Sequence, residues 1–141
     1  MNSPILAPVA LLIAWSLVMW LWMYATRLPA IARQKIALDA SVPPRILMEQ
    51  LPATTRWKAD NYNHLMEQPT LFYAAALLLA VSEAGSGLNV IFAWFYVILR
   101  IIHSLVQASI NIIALRFALH VLGTGCLFGL AWGALKVGFG L

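Results

Sequence analysis

Residues 60–81 read DNYNHLMEQPTLFYAAALLLAV. The second half, from Leu71 to Val81, carries no charge. The first half sets Asp60, Asn63, His64 and Glu67 among apolar neighbours. At 100° per residue these four polar side chains fall within about a 100° arc of one helix. An ionisable group in a bilayer has to face protein, a partner or a wet pocket, because lipid cannot solvate it. The stretch therefore predicts a membrane helix over about 59–82 with its polar stripe turned inward.

The rest of the chain agrees with this reading. Of 141 residues, 62% are hydrophobic and only 10% are charged, against about 45–50% and about 25% in ordinary soluble domains. This composition excludes a disordered chain, a disulfide scaffold and an ordinary soluble enzyme. The single Cys126 cannot form an internal disulfide. Crossing about 30 Å of hydrocarbon takes roughly 20 apolar residues at 1.5 Å each. Three further segments meet that length, at about 4–26, 88–109 and 114–137. The first has no basic residue ahead of it and is too long for a signal-peptide core, so it reads as a retained helix. The glycine-rich turn at 82–87 predicts a tight antiparallel pair of helices 2 and 3. Gly123, Gly125, Gly129 and Gly133 suit close helix contact. The expectation is a single all-α domain over 1–141, an integral membrane four-helix bundle.

The charge balance is 9 basic against 5 acidic residues, a net +4. Six of the basic ones, Arg27, Arg33, Lys35, Arg45, Arg56 and Lys58, fall in the polar stretch 27–58. That stretch reads as a loop with short helices near 31–38 and 45–51. Its charges form no stripe for nucleic acid, and no nucleic-acid partner is expected. They suit the cytoplasmic face and anionic lipid heads, which puts both termini on the other side.

Two more polar sets sit in apolar surroundings. Helix 3 carries Arg100, His103, Ser104, Gln107 and Asn111, and helix 4 carries Arg116 and His120. All three stripes lie at matched depth. One reading is interhelical glue. The other is a pocket for a polar, anionic ligand, since arginines fork onto carboxylates. Glu67 is the natural partner of Arg100 and Arg116. His64, His103 and His120 have no Cys or Asp cluster beside them, so no metal is expected. Ser104 next to His103 is a neighbour in sequence, not a nucleophile–base pair. Zinc-protease, CxxC, dinucleotide and P-loop motifs are absent.

The run from Asn63 through Glu67-Gln68-Pro69 to Leu71-Phe72-Tyr73 resembles the N-L-F-E-x-P-x-L-F-Y signature of bacterial MAPEG proteins, membrane-associated proteins in eicosanoid and glutathione metabolism. Arg100-Ile101-Ile102-His103-Ser104, then Asn111 and Arg116-Phe117, resembles the family's R-x-x-H-S…N…R-F pattern. The resemblance implies a homotrimer in the bacterial inner membrane. It implies glutathione as cofactor, held between protomers on the cytoplasmic side, and a lipophilic small molecule as second substrate. It implies catalytic roles for Arg116 and then Arg100, near the thiol. It implies a ligand-binding set of Glu67, His103, Asn63, His64, Gln107, Asn111 and Arg27, with Glu67 accepting from the glutathione amine. An arginine beside sulfur favours the thiolate, which points to a transferase or peroxidase. The chain departs from glutathione-active relatives at Asn63 and His64, which stand for Arg and Asn. It also departs at Gln107 and His120, each for Tyr, and at Phe117 for Ser. These departures feed an alternative, a non-catalytic MAPEG-like lipid-binding or accessory subunit. A small proton-coupled exporter needs an acid in its first helix, and residues 4–26 have none.

Overall fold

The computed structural model describes residues 3–141. Their regular structure is helical: α1 (Leu6–Gln34), α2 (Pro44–Glu49), α3 (Ala53–Met66), α4 (Pro69–Val81), α5 (Leu88–Ser109) and α6 (Ile113–Phe139). Three of these, α1, α5 and α6, are long and apolar enough to cross a bilayer. The side chains are distributed inside out relative to a soluble protein. Leu17, Leu21, Phe95, Phe117 and Phe128 are exposed, whereas Arg100, His103, Ser104 and Gln107 are buried. A surface this apolar over this interior is that of an integral membrane protein.

The expected loop over 27–58 is corrected. Helix α1 does not stop near Thr26 but runs through Pro29 to Gln34. It ends at Lys35, which adopts a left-handed φ of 51°. The N–H groups of Lys35 and Ile36 bond to the carbonyls of Ala32 and Ile31, the paired closure of a Schellman motif. The short helix expected near 31–38 is thus the tail of α1. Helix α3 in turn begins at Ala53, well inside the expected loop. The prolines explain the difference. Pro44 sits in the first turn of α2 and Pro52 caps α3. A missing N–H is harmless there, so these prolines start helices rather than break them. Ile36, Leu47 and Leu51 form a small apolar cluster that pins α2 down.

The continuous helix expected over 59–82 is also corrected. It is two helices, α3 and α4, separated at Glu67-Gln68. Pro69 offers no N–H to the preceding turn and its ring crowds that turn's carbonyl. Glu67 takes φ −93° and ψ −97°, outside the helical region. Its carbonyl accepts from the backbone N–H and the hydroxyl of Thr70, at 3.2 and 2.7 Å. The break sends two adjacent side chains apart, Glu67 outward and Gln68 inward.

The expected tight pairing of helices 2 and 3 holds along α3 but not α4. Helix α3 packs on α5 and α1, while α4 leans mainly on α6. The turn between α4 and α5 uses Gly87 at φ +60°, which a side chain would disfavour. Phe72 of α4 and Tyr96 of α5 stack at 4.7 Å in the centre of the core, with Leu12, Met19, Leu79 and Leu130 around them. The α5–α6 contact is the most extensive. Gly129 lies against the Phe92 ring and Gly133 against Asn89, whereas Gly125 has no neighbour at its Cβ position. Within the protomer Gly125 therefore serves no such contact.

Candidate functional site

A polar cavity of about 300 Å³ lies between α3, α5 and α6. Trp57, Asp60, Asn63, His64 and Glu67 form one wall. Their spacing of three and four keeps them on one side of α3. Gln107 of α5, Asn111 of the α5–α6 turn and Arg116 of α6 form the other wall. Asn111 turns the chain with a positive φ of 51°, which asparagine tolerates better than most residues. That turn aims its Oδ1 at Arg116, whose Nη1 donates to it at 2.5 Å.

The two walls carry unmatched chemistry. Arg116 Nε is buried and has no hydrogen-bond partner. Gln107 is 2% exposed, and its Oε1 is likewise buried without a partner. Each orphan carries a desolvation cost of about 1–3 kcal/mol, more for a charged group. Opposite them stand two carboxylates. Glu67 is 3.7 Å from His64 Nδ1 through Oε2, and Asp60 has no ion-pair partner among the described residues. The cavity is therefore bipolar, with a guanidinium facing carboxylates across a space lined by amides.

The expected ion pair of Glu67 with Arg100 or Arg116 is corrected. Within the protomer Glu67 reaches neither, because the break before Pro69 turns it outward, where its side chain is 67% exposed. Arg100 is only 4% exposed and lines no part of this cavity. Its Nη2 donates to Gln68 Oε1, and its Nε donates to the Tyr96 hydroxyl at 3.3 Å. Gln68 Nε2 in turn donates to Thr124 Oγ1, which donates to the His120 carbonyl, each at 2.8 Å. A buried cation is thus held by neutral acceptors in a chain linking α4, α5 and α6.

His103 is buried on α5, its ring 6.1 Å from that of His64 and 6.3 Å from that of His120. The three rings come from three helices, α3, α5 and α6. Arg27 lies on α1, outside this cavity. It lines a second cavity, of about 790 Å³, with Arg45, Arg56, Glu49 and Tyr24. Its Nε donates to Met48 Sδ at 3.1 Å. Asp60 and Asn63 border both cavities, so the two adjoin along α3.

Of the residues singled out from sequence, Asn63, His64, Glu67, Gln107, Asn111 and Arg116 share one cavity. Arg100, His103 and Arg27 do not line it. Sequence reasoning passed over Trp57, Gln68, Tyr96 and Thr124 as site residues. It placed Asp60 on the polar stripe without giving it a role. Trp57 was findable one helical turn before Asp60, and Gln68 by its place directly before Pro69.

A search of curated proteins and a search of solved structures returned no match. A sequence model of the MAPEG family matches residues 5–136, nearly the whole length, so this chain belongs to the MAPEG family.

Proposed function

We propose that the protein is a glutathione- or related-thiol-dependent transferase or peroxidase acting on lipophilic electrophiles within the membrane. The observation that carries this reading is the bipolar cavity with its two unpartnered groups, Arg116 Nε and Gln107 Oε1. A thiol with an α-amino-acid end matches that wall. Its ammonium suits Asp60 and Glu67, and the orphaned Gln107 oxygen accepts an N–H of its backbone amides. The volume of about 300 Å³ is at the small end of ligand pockets. When bound, the thiol supplies the nucleophile for an electrophile or the electrons for a peroxide. The chain's own part is electrostatic. Arg116 Nε would hold negative charge at sulfur and lower its pKa in a setting where water competes poorly.

On this reading α3 and α4 together cross the membrane as a fourth span of a four-helix bundle. The basic loop faces the cytoplasm of a bacterial inner membrane, with both termini opposite. Three copies assemble. In support, Arg27 lines a different cavity from Arg116 within the protomer, so a site that uses both arginines takes one from a neighbouring copy. In the most apolar window of α6 only 17% is buried within the protomer, against 39% for α5, which leaves α6 a face for a neighbour.

The non-catalytic alternative keeps one observation in its favour: Arg100 is already engaged by Gln68 and Tyr96. Titrating glutathione into the detergent-solubilised protein separates the two readings. At 100 times its dissociation constant, glutathione should stabilise the wild type by about 2.7 kcal/mol. The bound thiol should also show thiolate absorbance near neutral pH, and Arg116→Gln should abolish it. A wild type that neither binds nor ionises the thiol is the non-catalytic protein.

A further inference from the structure

We propose that the cleft between the end of α1 and the start of α3 holds the headgroup phosphate of an anionic phospholipid. This site is separate from the polar cavity and does not depend on what that cavity binds. The cleft has a volume of about 430 Å³. Its charged lining is Arg33 and Lys58, its polar lining is Thr26, Gln34, Thr54 and Thr55, and no acid among the described residues borders it. The neighbouring cavity differs in kind. There Arg45 is 3.7 Å from Glu49, and Asp60 also lines the space, so that cavity holds acids among its arginines.

The two cations of the cleft have capacity to spare. Arg33 makes no ion pair or side-chain hydrogen bond among the described residues. Lys58 Nζ gives one of its three N–H donors to the Thr54 carbonyl, at 2.9 Å. Two like charges facing one space with no counter-ion repel each other, and an anion between them removes that repulsion.

Depth selects the source of the anion. Lys58 Nζ lies 5.2 Å from the ring of Trp22, and Trp near the end of an apolar run marks the membrane–water boundary. The apolar part of α1 ends at Thr26, where the cleft begins. Ala25, Pro29 and Ala30 supply its apolar floor, and Leu28 beside it is 59% exposed. A phosphate at the cleft would therefore have its acyl chains running down an apolar helix surface. A zwitterionic headgroup brings its own cation against Arg33 and Lys58, so the fit is to a net-negative lipid.

The test uses the full-length protein in a neutral detergent, titrated with phosphatidylglycerol, phosphatidylcholine or inorganic phosphate. Bound lipid is counted by native mass spectrometry and the melting temperature is read in parallel. Phosphatidylglycerol should bind and raise the melting temperature, with phosphatidylcholine and inorganic phosphate well behind. Arg33→Gln with Lys58→Gln should weaken phosphatidylglycerol by about thirtyfold. Arg33→Gln alone breaks no internal contact, so it should show part of that loss with the lipid-free melting temperature unchanged. Arg45→Gln, outside the cleft, should leave affinity close to wild type. Equal binding of the two lipids, full affinity in the double variant, or an equal response to inorganic phosphate would each overturn the assignment.

Discussion

A single residue step decides how the buried cation of α5 is satisfied. Arg100 donates to Gln68, not Glu67, although Glu67 carries the charge that sequence logic pairs with it. Gln68→Leu would leave Arg100 only the Tyr96 hydroxyl, and hydrogen bonds to charged groups contribute about 1.5–3 kcal/mol. The melting temperature of that variant should fall sharply, whereas Gln68→Glu should hold or raise it by supplying a carboxylate. Glu67→Gln, changing an exposed side chain, should stay within about 0.5 kcal/mol of wild type. If Glu67→Gln instead proves the more damaging, Glu67 is the true partner and the structure's pairing is wrong. The residue types around the site were legible in the sequence, because charge inside an apolar run has few places to go. The pairing was not. Helical periodicity continued straight through Pro69 misplaces the stripe there, and a shift of one residue, a 100° turn of the helix, is enough to exchange an outward side chain for an inward one. Outside the site, Asp39 shows a simpler local rule. Its carboxylate accepts from the N–H and hydroxyl of Ser41, at 2.8 and 2.7 Å, and these bonds hold its carboxyl below the usual range. The turn they close is therefore present above the ordinary carboxylate pKa and lost as pH falls through the depressed one.

At the scale of elements, the long helices announce themselves by length and hydropathy, while their contacts do not. Four glycines on α6 look alike in sequence. Yet a Cβ at Gly129 would sit 2.8 Å from the Phe92 ring, and one at Gly125 would touch nothing. Gly129→Ala should thus destabilise by about 1–3 kcal/mol through overpacking. Gly125→Ala should stabilise by up to about 1 kcal/mol, since alanine favours a helix. Thermal denaturation in detergent reads both, and equal effects at the two positions would contradict the α5–α6 packing. The break between α3 and α4 was the least visible element. Proline at a helix start and proline at a helix break are the same letter, and only the surrounding packing separates them. Pro43 and Pro44 begin the short helix expected near 45–51, Pro52 begins α3 in a stretch that reads as loop, and Pro69 divides a stretch that reads as one helix. The break also matters to the site, because it sets where Glu67 points. Pro69→Ala should lengthen α3 into α4, shift Glu67 from the cavity wall, and weaken thiol binding while raising helix content.

At the scale of the whole molecule, the placing of Arg27 and Arg116 in different cavities makes oligomeric state a question about the site itself. A protomer alone offers Arg116 in one cavity and Arg27 in the other, with Asp60 and Asn63 shared between the two. If copies pack so that one chain's Arg27 flank faces another's Arg116 flank, each thiol site needs two chains. Closed rotational symmetry then requires that every copy give one half and receive the other. Native mass spectrometry should show three copies, but mass alone does not say that the site is shared. Complementation does. Arg27→Gln and Arg116→Gln, each expressed alone, should both lose thiol affinity. Expressed together, they should recover binding at those interfaces where an intact Arg27 from one variant meets an intact Arg116 from the other, about a quarter of them in a random mixture. A site built within one chain predicts no recovery, since every chain then carries a defect in its own site. Full affinity in Arg27→Gln alone would remove that arginine from the site and leave the cavity around Arg116 complete in a single protomer.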